Sequence, residues 1–315
     1  MLKNFFTNKF NLYTFKSSML GKLYTNLFSA NKFAKKFTTL LILNLLINFN
    51  TTIFPINSVD SRKIGMIIWQ NEGSGKIENL TFWSPHETFP SLGIGHFIWF
   101  PKGKKSTYKE QFPRLCEYFK KNGVFLPKWL NEAIKTGAPW ASRTEFLRDK
   151  QKMRDLQNLL SSTIDLQSKF IISQFEEQIP SIIKACPEKY KTKISNHVQT
   201  MRQTLLGSYA LIDYLNFKGS GVMKNEEKLN KGYGLLQVLL NMPDNLNSDN
   251  INKAFAVSAA KVLLRRIKNS SPNYDLIIYL SGWMQRVNSY SNENIFKNVF
   301  VQRSKKLFTV YNLYF

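Results

Sequence analysis

The chain has 315 residues, 43% of them hydrophobic, which is enough to fill a core and excludes a disordered polymer. Its formal net charge of +23 comes from lysines and arginines spread without a dense basic block. That balance is either a compositional background or the mark of a polyanionic partner such as cell-wall polymer, anionic lipid or nucleic acid.

Residues 1–59 hold no Asp or Glu. Lys3, Lys9, Lys16, Lys22, Lys32, Lys35 and Lys36 precede an apolar run at 40–47. A basic segment, an apolar segment and small residues near Ser58, Val59 and Ser61 form the pattern of an export signal, with a cut expected between Ser58 and Arg62. An uncleaved anchor with its N-terminus inside is the alternative, and Met19 is a second candidate start. The chain therefore divides into a basic leader or anchor, 1–61, and one body, 62–315.

The body reads as mostly helical. Helices are expected over 62–71, 109–121, 127–135, 142–148, 153–160, 164–179, 187–206, 209–217, 232–242, 251–268 and 274–290. Ser142 and Glu145 form a capping-box pair, and Pro180 is expected to stop the sixth helix. The run 209–217 is apolar all round and predicts a buried helix. Between Lys76 and Phe100 the pattern changes to loop and short β, with the β-rich run 91–100 punctuated by Gly93 and Gly95 as a hairpin turn. The fold class is mainly α, with a small β-hairpin beside the first helix of the body. Cys116 and Cys186 make no CxxC and no metal framework; they are a pair if exported, or buried thiols. His86, His96 and His197 are too scattered for a metal set, and no GxSxG, HExxH or Walker A lysine motif occurs.

One carboxylate stands out. Glu72 ends the first body helix, directly after Ile67, Ile68 and Trp69 and before Gly73. Apolar neighbours of that kind would desolvate it and favour its neutral form, as a general acid for glycosidic cleavage requires.

Glu72 followed by Gly73, the short β region, and Ser91-Leu92-Gly93-Ile94-Gly95-His96 together resemble the phage-type lysozymes. In that family a helix-end catalytic Glu precedes a short β region and a hydroxyl residue ahead of Gly-Ile-Gly-His. The runs 210–219 and 259–266 resemble the family's buried helix and its late helix with paired arginines, in the same order. The resemblance implies a lysozyme-like fold, no cofactor, and peptidoglycan or a related glycan as partner. It places Ser91 near the attacking water and gives His96 a role more structural than catalytic. The chain departs from the family in having no Asp between Glu72 and His96. Glu87, flanked by Trp83 and Phe89, is preferred to Glu78 as second carboxylate. Without either, the single-acid chemistry of goose-type lysozymes and lytic transglycosylases applies. Trp83, Phe97, Trp99 and Tyr233 are expected to face sugar rings and, with Gln237, to line the cleft. The span 64–290 also resembles a family of bacterial exported proteins with no assigned chemistry.

The expected function is an exported, peptidoglycan-cleaving glycosidase acting in the periplasm or cell envelope. The alternative is a non-catalytic envelope protein that binds glycan on the same scaffold. Nucleic acid is not an expected partner, since no recognition helix or RNP-type aromatic pattern accompanies the charge. Transient or N-terminal membrane association is expected from the leader alone.

Overall fold

In the computed structural model, residues 56–104, 110–222, 231–270 and 276–297 are described. The apolar run 40–47 expected for export therefore lies outside the described residues. All the described residues fall in one unit, Phe54–Phe315.

The first helix, α1 (Ser58–Gly73), starts upstream of the expected position because Asn57 caps it. The Asn57 side chain accepts from the Asp60 N–H at 2.9 Å, which satisfies one of the open donors of the first turn. The stretch expected to hold the cut is thus the first turn of a capped helix. Gly65 sits where α1 meets a later helix: a Cβ there would stand 1.8 Å from Ser168 Oγ.

A 3-10 turn at Ile77–Leu80 leads into β1 (Thr81–Phe82), followed by β2 (Ser91–Leu92) and β3 (Phe97–Ile98). They form an antiparallel sheet in the order β1-β2-β3, pairing Thr81 with Leu92 and Leu92 with Phe97. The expected hairpin is therefore present, with Gly93-Ile94-Gly95-His96 as its turn. Gly93 adopts φ +76. The Ile94 N–H is held at 2.9 Å by the buried Gln167 amide oxygen.

The helices that follow are α2 (Phe112–Lys121), α3 (Lys128–Ala133), α4 (Arg143–Arg148), α5 (Lys150–Ser162), α6 (Ile164–Lys184), α7 (Glu188–Met201), α8 (Leu205–Lys218), α9 (Leu235–Asn241), α10 (Ile251–Lys268) and α11 (Leu280–Asn288). The class is mainly α with a small antiparallel sheet, as the patterning predicts. Ser142 caps α4 as expected, and Glu145 Oε2 reaches back to the Ala141 N–H at 2.9 Å.

Two boundaries differ for clear reasons. α6 runs through Pro180, because Phe175, Ile179 and Ile182 on either side all bury on one face, and that packing outweighs the lost hydrogen bond. The expected helix 187–206 ends at Met201, and the helix expected at 209–217 starts earlier, at Leu205, since Thr204 caps it by accepting from the Gly207 N–H at 3.0 Å. α8 is the central element: every residue from Leu206 to Leu215 is buried. α1 packs along α6 and also touches α8, so its C-terminal end is brought beside the core helix. Cys116 and Cys186 are buried free thiols. Among the described residues no helix is long and apolar enough to cross a membrane.

Candidate active site

Asp213 lies in the middle of α8 with no exposed surface. A carboxylate cannot be buried there without partners. Arg286, from α11, supplies two hydrogen bonds: Nε to Oδ2 and Nη2 to Oδ1, each 2.8 Å. The Tyr290 hydroxyl donates to Oδ2 at 2.7 Å and Asn71 Nδ2 donates to Oδ1 at 3.2 Å. Burial alone would lower the Arg286 pKa, but the charges of Asp213 and Glu72 hold it well above its ordinary value. Burial and then Asp213 raise the Tyr290 hydroxyl, so it stays a donor.

Glu72 reaches the edge of this network. Its Oε1 accepts from Arg286 Nη2 at 2.8 Å and from Asn216 Nδ2 at 3.3 Å. Asn216 Nδ2 also reaches the Gly95 carbonyl at 3.4 Å, tying α8 to the hairpin turn. Oε2 points to the other side, 3.8 Å from His96 Nδ1. His96 has φ 49, a left-handed conformation that costs a side-chain-bearing residue energy, and its ring stacks on Phe82 at 5.8 Å. α1, the β-turn, α8 and α11 thus converge on one carboxylate. The expected apolar wall is absent. Ile67, Ile68 and Trp69 turn into the core, and the atoms facing Glu72 belong to a guanidinium, an amide and an imidazole.

The other sequence candidates separate into groups. Ser91 is half-buried on β2, and Glu87 is exposed in the loop before it. Among the described residues no hydrogen bond or ion pair joins either of them to Glu72. Trp83 and Trp99 do not face a cleft. Trp83 is 3% exposed, packs on Phe146, and donates Nε1–H to the Glu87 carbonyl at 2.9 Å. Trp99 is fully buried against Phe112 and Trp140. Gln237 is also inside: its amide accepts from the Gly234 N–H and donates to the Gly221 carbonyl, both at 2.9 Å, clamping two loops together. These three act in packing and loop closure: the polar groups of Trp83 and Gln237 are bonded within the fold, and the Trp99 ring is packed inside with its indole N–H unpartnered among the described residues. Phe97, 1% exposed, lies at a shallow groove of about 20 Å3, room for little more than a water. Gln111, Gln174, Gln178 and Asn216 line that groove, so amide groups lead up to the residue that holds Glu72. Tyr233 stays half-buried, its ring 5.6 Å from the Arg265 guanidinium and 5.8 Å from that of Arg266.

Arg286, Asp213, Asn216 and Tyr290 were not among the candidates. One signal for them existed: Asp213 is a lone acid inside an apolar helix, and a buried acid demands a cation somewhere in the chain. Among the described residues no group of His, Cys, Asp and Glu could hold a metal ion. No family model, no curated protein and no solved structure matches this chain.

Proposed function

We propose that the protein is an exported, lysozyme-like glycosidase that cleaves peptidoglycan or a related envelope glycan, with Glu72 as the general acid. The observation that carries the reading is the environment of Glu72: a helix-end carboxylate at a glycine-rich hairpin turn, held on one oxygen by Arg286 and Asn216. Both donors address Oε1, so the transferable proton belongs on Oε2, on the His96 side. That proton passes to the glycosidic oxygen as the bond from that oxygen to the anomeric carbon breaks. Water then adds to the anomeric carbon, or the sugar's own C6 hydroxyl does so to give an anhydro product, and in either case the attacking oxygen gives its proton to a carboxylate, which restores the acid for the next turnover. Glu87 and Ser91 are the proposed partners for the water. Inversion follows if the two carboxylates stand about 6.5–9.5 Å apart.

The test is release of soluble muropeptides from purified cell walls. Removing a general acid commonly costs about 10²–10⁴-fold in rate, and Glu72→Gln keeps the shape and the hydrogen bonds to Arg286 and Asn216. Loss of release by this variant, with an unchanged circular dichroism spectrum, supports the reading; release at the wild-type rate defeats it. A second reading, a glycan-binding protein without catalysis, is favoured by the missing link between Glu72 and a second carboxylate. Binding to walls with no release by the wild type selects it.

A further inference from the structure

Beyond Glu72, cations and aromatic rings alternate. The Arg286 guanidinium that touches Glu72 lies 4.0 Å from the centre of the Phe217 ring. Lys218 Nζ is 3.7 Å from the same ring and 3.9 Å from that of Trp283. The Arg266 guanidinium stands 5.5 Å from Trp283 and 5.8 Å from Tyr233, and Tyr279 stacks on Trp283 at 6.0 Å. Among the described residues neither Lys218 nor Arg266 makes a hydrogen bond or an ion pair. Asp213 and Glu72 are both committed to Arg286. Among the described residues, two partly buried cations therefore have no counter-charge of their own, in a region edged by the exposed ring of Tyr279. Aromatic faces compensate a cation only partly, and an unbalanced, desolvated pair is costly to keep.

We propose that Lys218 and Arg266, framed by Trp283, Tyr279 and Tyr233, form a subsite for a carboxylate-bearing sugar next to the cleavage site. The rings offer apolar faces to the sugar, and the two cations take its carboxylate. This deepens the glycosidase reading by fixing the substrate class as an acidic glycan. It rests on that reading for the ligand being a glycan, while the anion preference stands on the two cations. Burial, with Arg266 and Arg286, pushes the Lys218 amine down to about 6, against the pull of Glu72. A bound carboxylate favours the ammonium form, so affinity is highest below that pH and falls as pH rises through it.

Tryptophan fluorescence titration measures binding separately from cleavage. It is run on the full chain carrying Glu72→Gln, so that no probe is consumed. The probes are a tetrasaccharide alternating N-acetylglucosamine with glucuronic acid and the neutral chitotetraose. The acidic probe should bind about ten-fold more tightly at pH 4.5 and low salt, a lower pH than the native chain needs because Glu72→Gln removes the charge that holds the Lys218 amine up, with the preference shrinking by pH 8. Lys218→Met and Arg266→Gln should each remove most of that preference and leave chitotetraose affinity within two-fold; Lys218→Arg should retain it at both pH values. Equal affinity for the two probes, binding of neither, or an undiminished preference in both charge-removing variants overturns the subsite. Muropeptide release reports on Glu72 alone, so failure there is a separate result.

Discussion

Two aromatic clusters in this protein use the same residue types in opposite ways. Near the sheet, Trp99 meets Phe112 and Trp140, and Trp140 meets Phe146, Trp129 and Trp99 at ring distances of 4.9–6.0 Å. Beside α11, Phe217 and Trp283 meet each other edge-on at 6.2 Å, but their faces receive Arg286, Lys218 and Arg266. In the first cluster rings pack on rings, and a cation, Lys152, reaches only the outer Trp129 ring at 5.6 Å. In the second, the faces are given to cations that have work outside the core. An aromatic residue's neighbours decide whether it is structural, and its type does not.

The largest expected effect breaks the first cluster. Trp99→Ala removes a fully buried ring and should cost about 3–5 kcal/mol, the usual range for an aromatic cavity. Trp283→Ala should cost less, about 1.5–3 kcal/mol, because its ring packs on cations and on the exposed Tyr279 as much as on core. Urea unfolding of the two variants measures both. Equal losses would mean that the second cluster is as much a part of the core as the first.

Next in size is the buried ion pair that joins α8 to α11. Arg286→Met leaves Asp213 charged, fully buried and stripped of its two strongest bonds, and should cost about 3–5 kcal/mol. Asp213→Asn together with Arg286→Met should recover part of that loss, because the uncompensated charge is gone. Comparison of the single and double variants by urea unfolding isolates the charge term. A double variant no more stable than Arg286→Met would show that packing, and not charge, dominates this contact.

The hairpin half of the candidate site was legible in the sequence and the α11 half was not. Glu72, Gly73 and the 91–96 run are close along the chain, so their local patterning is enough to bring the helix end and the turn together. Arg286 acts on Glu72 across a separation of 214 residues, and no periodicity connects them. The core helix α8 was legible because its apolar residues run all the way round, while the helix through Pro180 was not, since local propensity there yields to burial of Phe175, Ile179 and Ile182. The tryptophans near the hairpin were assigned to sugar because exposure cannot be read from residue type. Lys218 and Arg266 lay in plain view within matching runs, yet only the structure shows that among the described residues no acid pairs with them.

The charge on Lys218 sharpens the comparison most. In the folded chain the Lys218 amine has its pKa lowered to about 6, by burial first and by Arg266 and Arg286 after it. In the unfolded chain it titrates near 10.5. Between these values the unfolded state binds the extra proton, so stability rises with pH across that window. The lysine therefore costs the fold most below pH 6 and least above 10. Lys218→Met keeps the apolar stem against Phe217 and Trp283 and removes the titrating group. It should stabilise the protein at pH 6–7, with the gain fading toward pH 10, as read from urea midpoints across that range. A cationic cluster that destabilises the fold it belongs to is what a ligand site produces, and no such gain is expected at Trp99, whose ring meets only Phe112 and Trp140. A Lys218→Met variant that is less stable at every pH would show that the ammonium holds the rings together, and would place both clusters in the same structural role.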